Sequence, residues 1–138
     1  MRLGELQTAM FETLSGDPNV SGLAVAVYSD PQQQPNPEDD AAFPYITFGE
    51  DSFVPWDTKT DFGAQVTCQI DIYSREHNFT KLKALTGYVY DALHHQPLTI
   101  VGADHTLTTC ESANVSRSPD GTTKRCLMSF RVLYDNIS

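Results

Sequence analysis

The stretch QVTCQIDIYSRE, Gln65 to Glu76, separates into two sets of side chains: Val66, Cys68, Ile70 and Ile72 in one, Gln65, Thr67, Gln69, Asp71 and Tyr73 in the other. Successive side chains of an extended strand point to opposite faces, so this order predicts a β-strand with its apolar set on a core and its polar set turned away. The polar set meets either water or a partner, and the function of the chain turns on which. The same period returns in KRCLMSFRVLY, where Cys126, Met128, Phe130 and Val132 alternate with Arg125, Leu127, Ser129 and Arg131. SPDG, Ser118 to Gly121, has Pro and Asp at the centre of a reverse turn and Gly at its end, which makes this last run half of a closing hairpin.

Outward from these strands, Leu3, Leu6, Met10 and Leu14 recur at helical spacing until Gly16, Asp17 and Pro18 interrupt them, predicting a first helix from about Leu3 to Ser15. Phe79, Leu82, Leu85, Val89 and Leu93 predict a second, from about Phe79 to His94, with Pro97 beyond its end. GLAVAVYSD, Gly22 to Asp30, reads as a strand or extended arm because of its Val content. DPQQQPNPEDDAAFP carries four of the eight prolines and a cluster of acids, and reads as a mobile surface loop over about 30–44. A strand resumes over Tyr45 to Gly49. The irregular SFVPWDTKTDFG, Ser52 to Gly63, holds Phe53, Val54, Trp56 and Phe62, too much apolar surface for an idle loop, and is read as a hairpin extension or aromatic arm. LTIVG is read as a strand, and HTLTTCESANVSRS as a long extended run. Helix, arm, strands, helix and three further strands describe a single α+β domain over 1–138. Its sheet is mainly antiparallel, with two helices packed on one face and the other face open.

The 138 residues suffice for one domain, and 40% hydrophobic with 20% charged residues sets whole-chain disorder aside. The formal net charge of −9 argues against a surface that grips nucleic-acid phosphates, a task for Lys and Arg. The start, MRLGELQTAMFETLSG, has no continuous apolar core and carries Glu5 and Glu12, so a signal peptide is not expected, nor is a membrane span, and folding in a cytosol is. Cys68, Cys110 and Cys126 are odd in number without CxxC spacing, which favours buried thiols over disulfides or zinc.

The search for chemistry finds no set of residues that could act together. There is no G-x-S-x-G elbow beside a base. His94 and His95 are neighbours at a helix end, where adjacent side chains diverge, so they are poor joint metal ligands and better explained by the helix C-terminus. His77 and His105 read as solvated. Asp39, Asp40, Glu50 and Asp51 lack the spacing of a calcium loop, and the glycines are too scattered for a phosphate cradle. No catalytic, cofactor or metal residue is expected.

The order of the pieces carries more than any one piece. Leu3 to Leu14, PYITFGE (Pro44 to Glu50), QVTCQIDIYS (Gln65 to Ser74), Leu82 to Leu93 and SPDGTTKR running on to Val132 together resemble the tail-completion, or tail-terminator, proteins of long-tailed phages and phage-like gene transfer agents. The resemblance covers nearly the whole chain; the loop from Asp30 to Pro44 looks longer than that family needs. It implies a structural virion protein with no enzymatic activity and no cofactor. Such a protein forms a hexameric ring at the head-proximal end of the tail tube, ends tube polymerisation and joins the tail to a head or neck completion protein. Duplex DNA passes through its channel without specific binding, which an acidic wall favours. A neck adaptor, a tail-tube subunit or, from another class, a small acidic enzyme or ligand-binding domain with the open sheet face as its pocket floor are the competing readings. On the ring reading Phe53, Trp56 and Phe62 lie at subunit contacts, and Arg75, Arg125 and Arg131 pair with acids across subunits, against plain solvation as the alternative. Gln65, Thr67, Gln69, Asp71 and Tyr73 then face the channel or a neighbouring subunit, and acids within Asp30 to Asp40 and Glu50 to Asp61 are candidates for the lumen.

Overall fold

A computed structural model describes residues 3–24, 26–28, 44–57, 62–75, 79–117 and 123–136. In chain order these form α1 (Leu3–Gly16), α2 (Pro18–Leu23), β1 (Ala26–Tyr28), β2 (Tyr45–Asp57), β3 (Phe62–Ser74), α3 (Thr80–Leu93), β4 (Ala103–Arg117) and β5 (Lys124–Asn136). The strands make one sheet in the order β1-β2-β3-β5-β4, parallel only between β1 and β2. The predicted mainly antiparallel α+β domain is the fold observed.

The opening alternation has its expected meaning. Val66, Cys68, Ile70 and Ile72 are buried, and register sets them between Phe53, Asp51, Phe48 and Ile46 of β2 and Val132, Phe130, Met128 and Cys126 of β5. Leu6, Met10 and Leu14 of α1 and Leu82, Leu85, Val89 and Leu93 of α3 close the same core from the helix side. The heptad-like spacing of each helix thus meets the period of two of each strand in one apolar layer.

Four readings need correction. Asp17 and Pro18 do not only stop a helix; the Asp17 carboxylate accepts from the Asn19 and Val20 amides at 2.9 and 3.1 Å and so caps α2, with Pro18 in the first turn. The helix side therefore carries a short third helix, and only Ala26–Tyr28 of the predicted Gly22–Asp30 strand is strand. Of Ser52 to Gly63, the described residues 52–57 and 62–63 are regular strand: β2 and β3 each run 13 residues and pair to Asp57↔Phe62, so the expected hairpin extension is observed. LTIVG is not a strand, so two strands follow α3 in place of three. Leu98 and Ile100 are nevertheless buried, and the Leu98 amide donates to His105 Nδ1 at 3.4 Å. The 30–44 loop lies, apart from Pro44, outside the described residues, as does the whole SPDG turn.

A β-bulge makes the long hairpin possible. Phe48 faces Ile70 and Asp51 faces Cys68, so Gly49 and Glu50 share the place opposite Gln69. The extra residue inverts the side-chain parity of everything after it, returning Phe53 to the core side. Space at Gly49 is tight: a Cβ there would meet Gln69 Oε1 at 3.0 Å and Gln69 Cβ at 3.1 Å. Gly49→Ala is expected to destabilise by about 1 kcal/mol, crowding outweighing the loss of unfolded-state entropy. A midpoint shift in urea unfolding is the measurement.

Candidate functional site

The face of the sheet opposite the helices is built in cross-strand rows. Tyr45, Tyr73, Arg125 and Ser116 make the first, Thr47, Asp71, Leu127 and Asn114 the second; Gln69, Ser129 and Ser112 follow beside the bulge. Ser52, Thr67, Arg131 and Thr109 come next, then Val54, Gln65, Leu133 and Leu107. No helix among the described residues packs on these rows. The five polar residues of the opening stretch all lie here, and register brings Arg125 and Arg131 to the same surface, a juxtaposition the sequence does not announce.

At one corner the surface is ordered by charge and ring stacking. Arg125 Nη2 donates to Asp71 Oδ1 at 3.0 Å, and Asp71 is only 7% exposed. The Arg125 guanidinium lies 5.7 Å from the Tyr73 ring centre, Tyr73 stacks on Tyr45 at 5.0 Å, and Tyr28 meets Tyr45 edge-on at 5.7 Å. Burial opposes the Arg125 charge, but the hydrogen bond and charge of Asp71 outweigh it and lift the guanidinium further above its ordinary value. Burial, then the neighbouring Tyr73, pushes the Tyr45 phenol up to about 12. Its neutral form is thus favoured in the fold, so this contribution to stability is complete below pH 10 and is lost as pH rises through about 12. Burial, then Asp71, also raises Tyr73.

The other arginines are quieter. Arg131 Nε lies 3.0 Å from Glu111 Oε1, with both side chains about two-fifths exposed, a pair of little energetic weight. Glu111 reaches it because a second bulge falls between Cys110 and Ser112. Arg75 Nε donates to Thr123 Oγ1 at 3.0 Å. Phe53 is half-buried against the chain's own core, while Trp56 and Phe62 are placed by backbone register alone, opposite Gly63 and Asp57. Sequence reasoning passed over Leu107, Leu127 and Leu133, half-buried on this face, where Val54 stands in the row of Leu107 and Leu133 and is 56% exposed. Leu127 stood in the polar set of the closing strand, where its apolar character was a usable signal.

The histidines also differ from expectation. His94 leaves the helix in extended backbone and His95 has φ 57°, so the rings do not diverge but stack at 3.9 Å, with Tyr90 on the far side of His94 at 4.3 Å. His94 Nδ1 accepts from the Cys110 amide at 3.0 Å. His105 is not solvated: Nδ1 accepts from Leu98, which leaves Nε2–H to donate to Thr108 Oγ1 at 2.6 Å. Burial lowers its pKa, so its contribution to stability is present above pH 6.5 and is lost as pH falls below that value.

Burial holds the Cys68, Cys126 and Cys110 thiols above their ordinary pKa, which disfavours a nucleophilic thiolate. Among the described residues no three His, Cys, Asp or Glu side chains gather as a metal site, and no helix is long and apolar enough to cross a membrane. A cleft of about 450 Å³ lies not on the open face but between α1 and the 99–101 segment. Its polar side chains are Glu5, Thr8, Glu12 and Thr99, which offer neither a nucleophile with its base nor convergent donors.

Comparison with known proteins shows the family of the chain. The family model described as tail completion protein gp17 matches residues 8–135. The tail completion protein gp17 of Bacillus phage SPP1 is 27% identical over 103 residues, which span 73% of this chain and 75% of that protein. In fold, the chain superposes on a chain from the virion of a native gene transfer agent particle with a TM-score of 0.86 at 24% identity, covering 98% of each. It superposes on bacteriophage SPP1 gp17 with a TM-score of 0.60 at 23% identity, covering 98% of this chain and 90% of that one. The chain belongs to the tail completion protein gp17 family, whose members are structural phage tail proteins and not enzymes.

Proposed function

We propose that the protein is the terminator of a phage-type tail: a hexameric ring that caps the head-proximal end of the tube, stops its growth and presents its far side to a head or neck completion protein. The open sheet face carries this reading. A lone domain gains nothing from half-buried Leu107, Leu127 and Leu133 set among paired charges, whereas an assembly covers them. The rows from Gln65 to Tyr73 face a neighbouring subunit or the channel wall, and the net charge of −9 keeps duplex DNA sliding instead of bound. The β2–β3 hairpin, carrying Phe53, Trp56 and Phe62, supplies an arm toward the next subunit. Arg125 and Arg131 already hold Asp71 and Glu111 within the chain, so any pairing across subunits uses the remaining donors of the same guanidinium groups.

Two measurements test this. Negative-stain images of the protein with tail tubes should show a capping ring with a central hole, and disruption of the gene should yield over-long tubes; headless tubes of normal length would instead indicate a neck adaptor. Trp56→Ala is expected to weaken ring formation in a sizing assay, and an unchanged ring would remove Trp56 from the contact.

A further inference from the structure

The β4–β5 ladder ends in like-charged pairs of opposite sign. At one end Asp104 stands directly opposite Asp135; at the other Arg117 stands opposite Lys124. Like charges facing each other across a ladder repel; Lys124 itself is only 4% exposed and lies over the Phe79 ring, so Arg117 and Lys83 are the exposed cations beside that ring. The two ends lie about 40 Å apart along the strands.

The cationic end is concentrated. Of the nine Lys and Arg residues, Arg75, Lys81, Lys83, Arg117, Lys124 and Arg125 fall at the end of the sheet where α3 begins. Three of them surround one ring: the Lys124 and Lys83 ammonium groups and the Arg117 guanidinium lie 5.5, 5.8 and 5.5 Å from the centre of Phe79. Phe79 is the residue that opens α3, whose first turn contains no acid. Asp71 pairs with Arg125 at this end. At the other end, Asp104 and Asp135 are exposed, and Glu5 and Glu12 line the cleft beside Thr99 and Val101, shortly before Asp104 in the chain.

We infer that the two ends are mates: the basic end around Phe79 docks on the Asp104/Asp135 end of a second copy, head to tail, and this contact is the joint between subunits. The inference rests on the ring reading above and adds to it where the subunits meet. A second copy is favoured over nucleic acid because the complementary charge is present on the same molecule, while the chain as a whole repels phosphate. Head-to-tail contacts between unlike surfaces are the kind that close into rings. The anionic pair shares the open face with Gln65 and Tyr73, whereas the cationic pair lies on the helix side, in register with buried Cys126 and Met128. The joint is therefore lapped, with the basic end of one copy lying over the open face of the next.

Two charge-reversed alleles test the joint, Lys83→Glu with Arg117→Glu and Asp104→Lys with Asp135→Lys, all four positions being exposed. Each is expressed alone, then both together, in a producer strain lacking its own copy, and circular dichroism of the purified proteins checks folding. At the exposed positions exchanged, each allele alone sets like charge against like across every joint, and finished tails should fall on the order of a hundredfold. Together the two restore opposite charge at every joint of an alternating ring, and finished tails should recover. If either allele complements alone, the joint is elsewhere while the ring reading stands. If folded variants fail both alone and together, the basic end holds something other than a second copy, phosphate or another virion protein, and the inference is wrong. If loss of the gene leaves tails unchanged, the ring reading itself fails.

Discussion

Phe130→Ala is expected to destabilise the protein by about 3–5 kcal/mol, a large part of the 5–15 kcal/mol typical of a whole domain. Phe130 is fully buried at the centre of β5, with Cys68 opposite on one side and Cys110 on the other. Truncation opens a cavity walled by two sheet neighbours and the helices, and a sheet pinned by pairing on both sides collapses poorly into it. Leu133→Ala, three residues along the same strand, is the informative control. Its side chain points to the open face and is only half-buried, so it should cost about 1 kcal/mol in the free chain, in keeping with its smaller apolar area. Urea unfolding of both variants measures the contrast. Equal losses would mean that the second face is already covered within one chain, which would take away the main support for assembly through it. The same Leu133→Ala variant should lose more in ring formation than in folding.

The contrast between these two positions was half legible in the sequence. A period of two tells which residues share a face, and the inner face of β3 and β5 follows from it directly. What local pattern cannot supply is the pairing between strands. Asp71 and Arg125 are 54 positions apart, and only register makes them partners. Parity also fails where an extra residue enters: Ser52 to Gly63 looked irregular because the bulge at Gly49 and Glu50 shifts its alternation out of phase with Tyr45 to Phe48. LTIVG misled in the opposite way. Leu98 and Ile100 are buried as in a strand, but Val101 is 72% exposed and the Leu98 amide is satisfied by a histidine ring in place of a ladder partner. The missed helix α2 had the clearest overlooked signal, since Asp followed by Pro starts helices as readily as it ends them. For the functional surface, the polar set of β3 was identified, but its energetic character was not. Tyrosine stacking and a buried carboxylate make that corner a fixed structure, where the sequence suggested a row of independent hydrogen-bonding groups.

Asp71→Ala tests that corner and is expected to cost about 1.5–3 kcal/mol, the range for a hydrogen bond to a charged partner. The loss has two sources. The Arg125 guanidinium gives up its carboxylate while its Nε, shielded from solvent, already has no hydrogen-bond partner among the described residues. The vacated space also lies against the Gly49 bulge, where Asp71 Oδ2 stands 3.4 Å from the position a Cβ would take. Arg125 is 38% exposed and can turn partly toward water, which keeps the cost below that of a fully buried pair. Asp71→Asn keeps the shape and one acceptor but not the charge, and should lose about half as much. Because the pair anchors Tyr73 and through it Tyr45, the Ala variant should also loosen the stack and bring the Tyr45 phenol down from about 12 toward 10, visible in an ultraviolet titration of tyrosinate. Unchanged stability together with an unchanged titration would show that the rings hold each other without the ion pair, and that Asp71 serves contacts made only in the assembled tail.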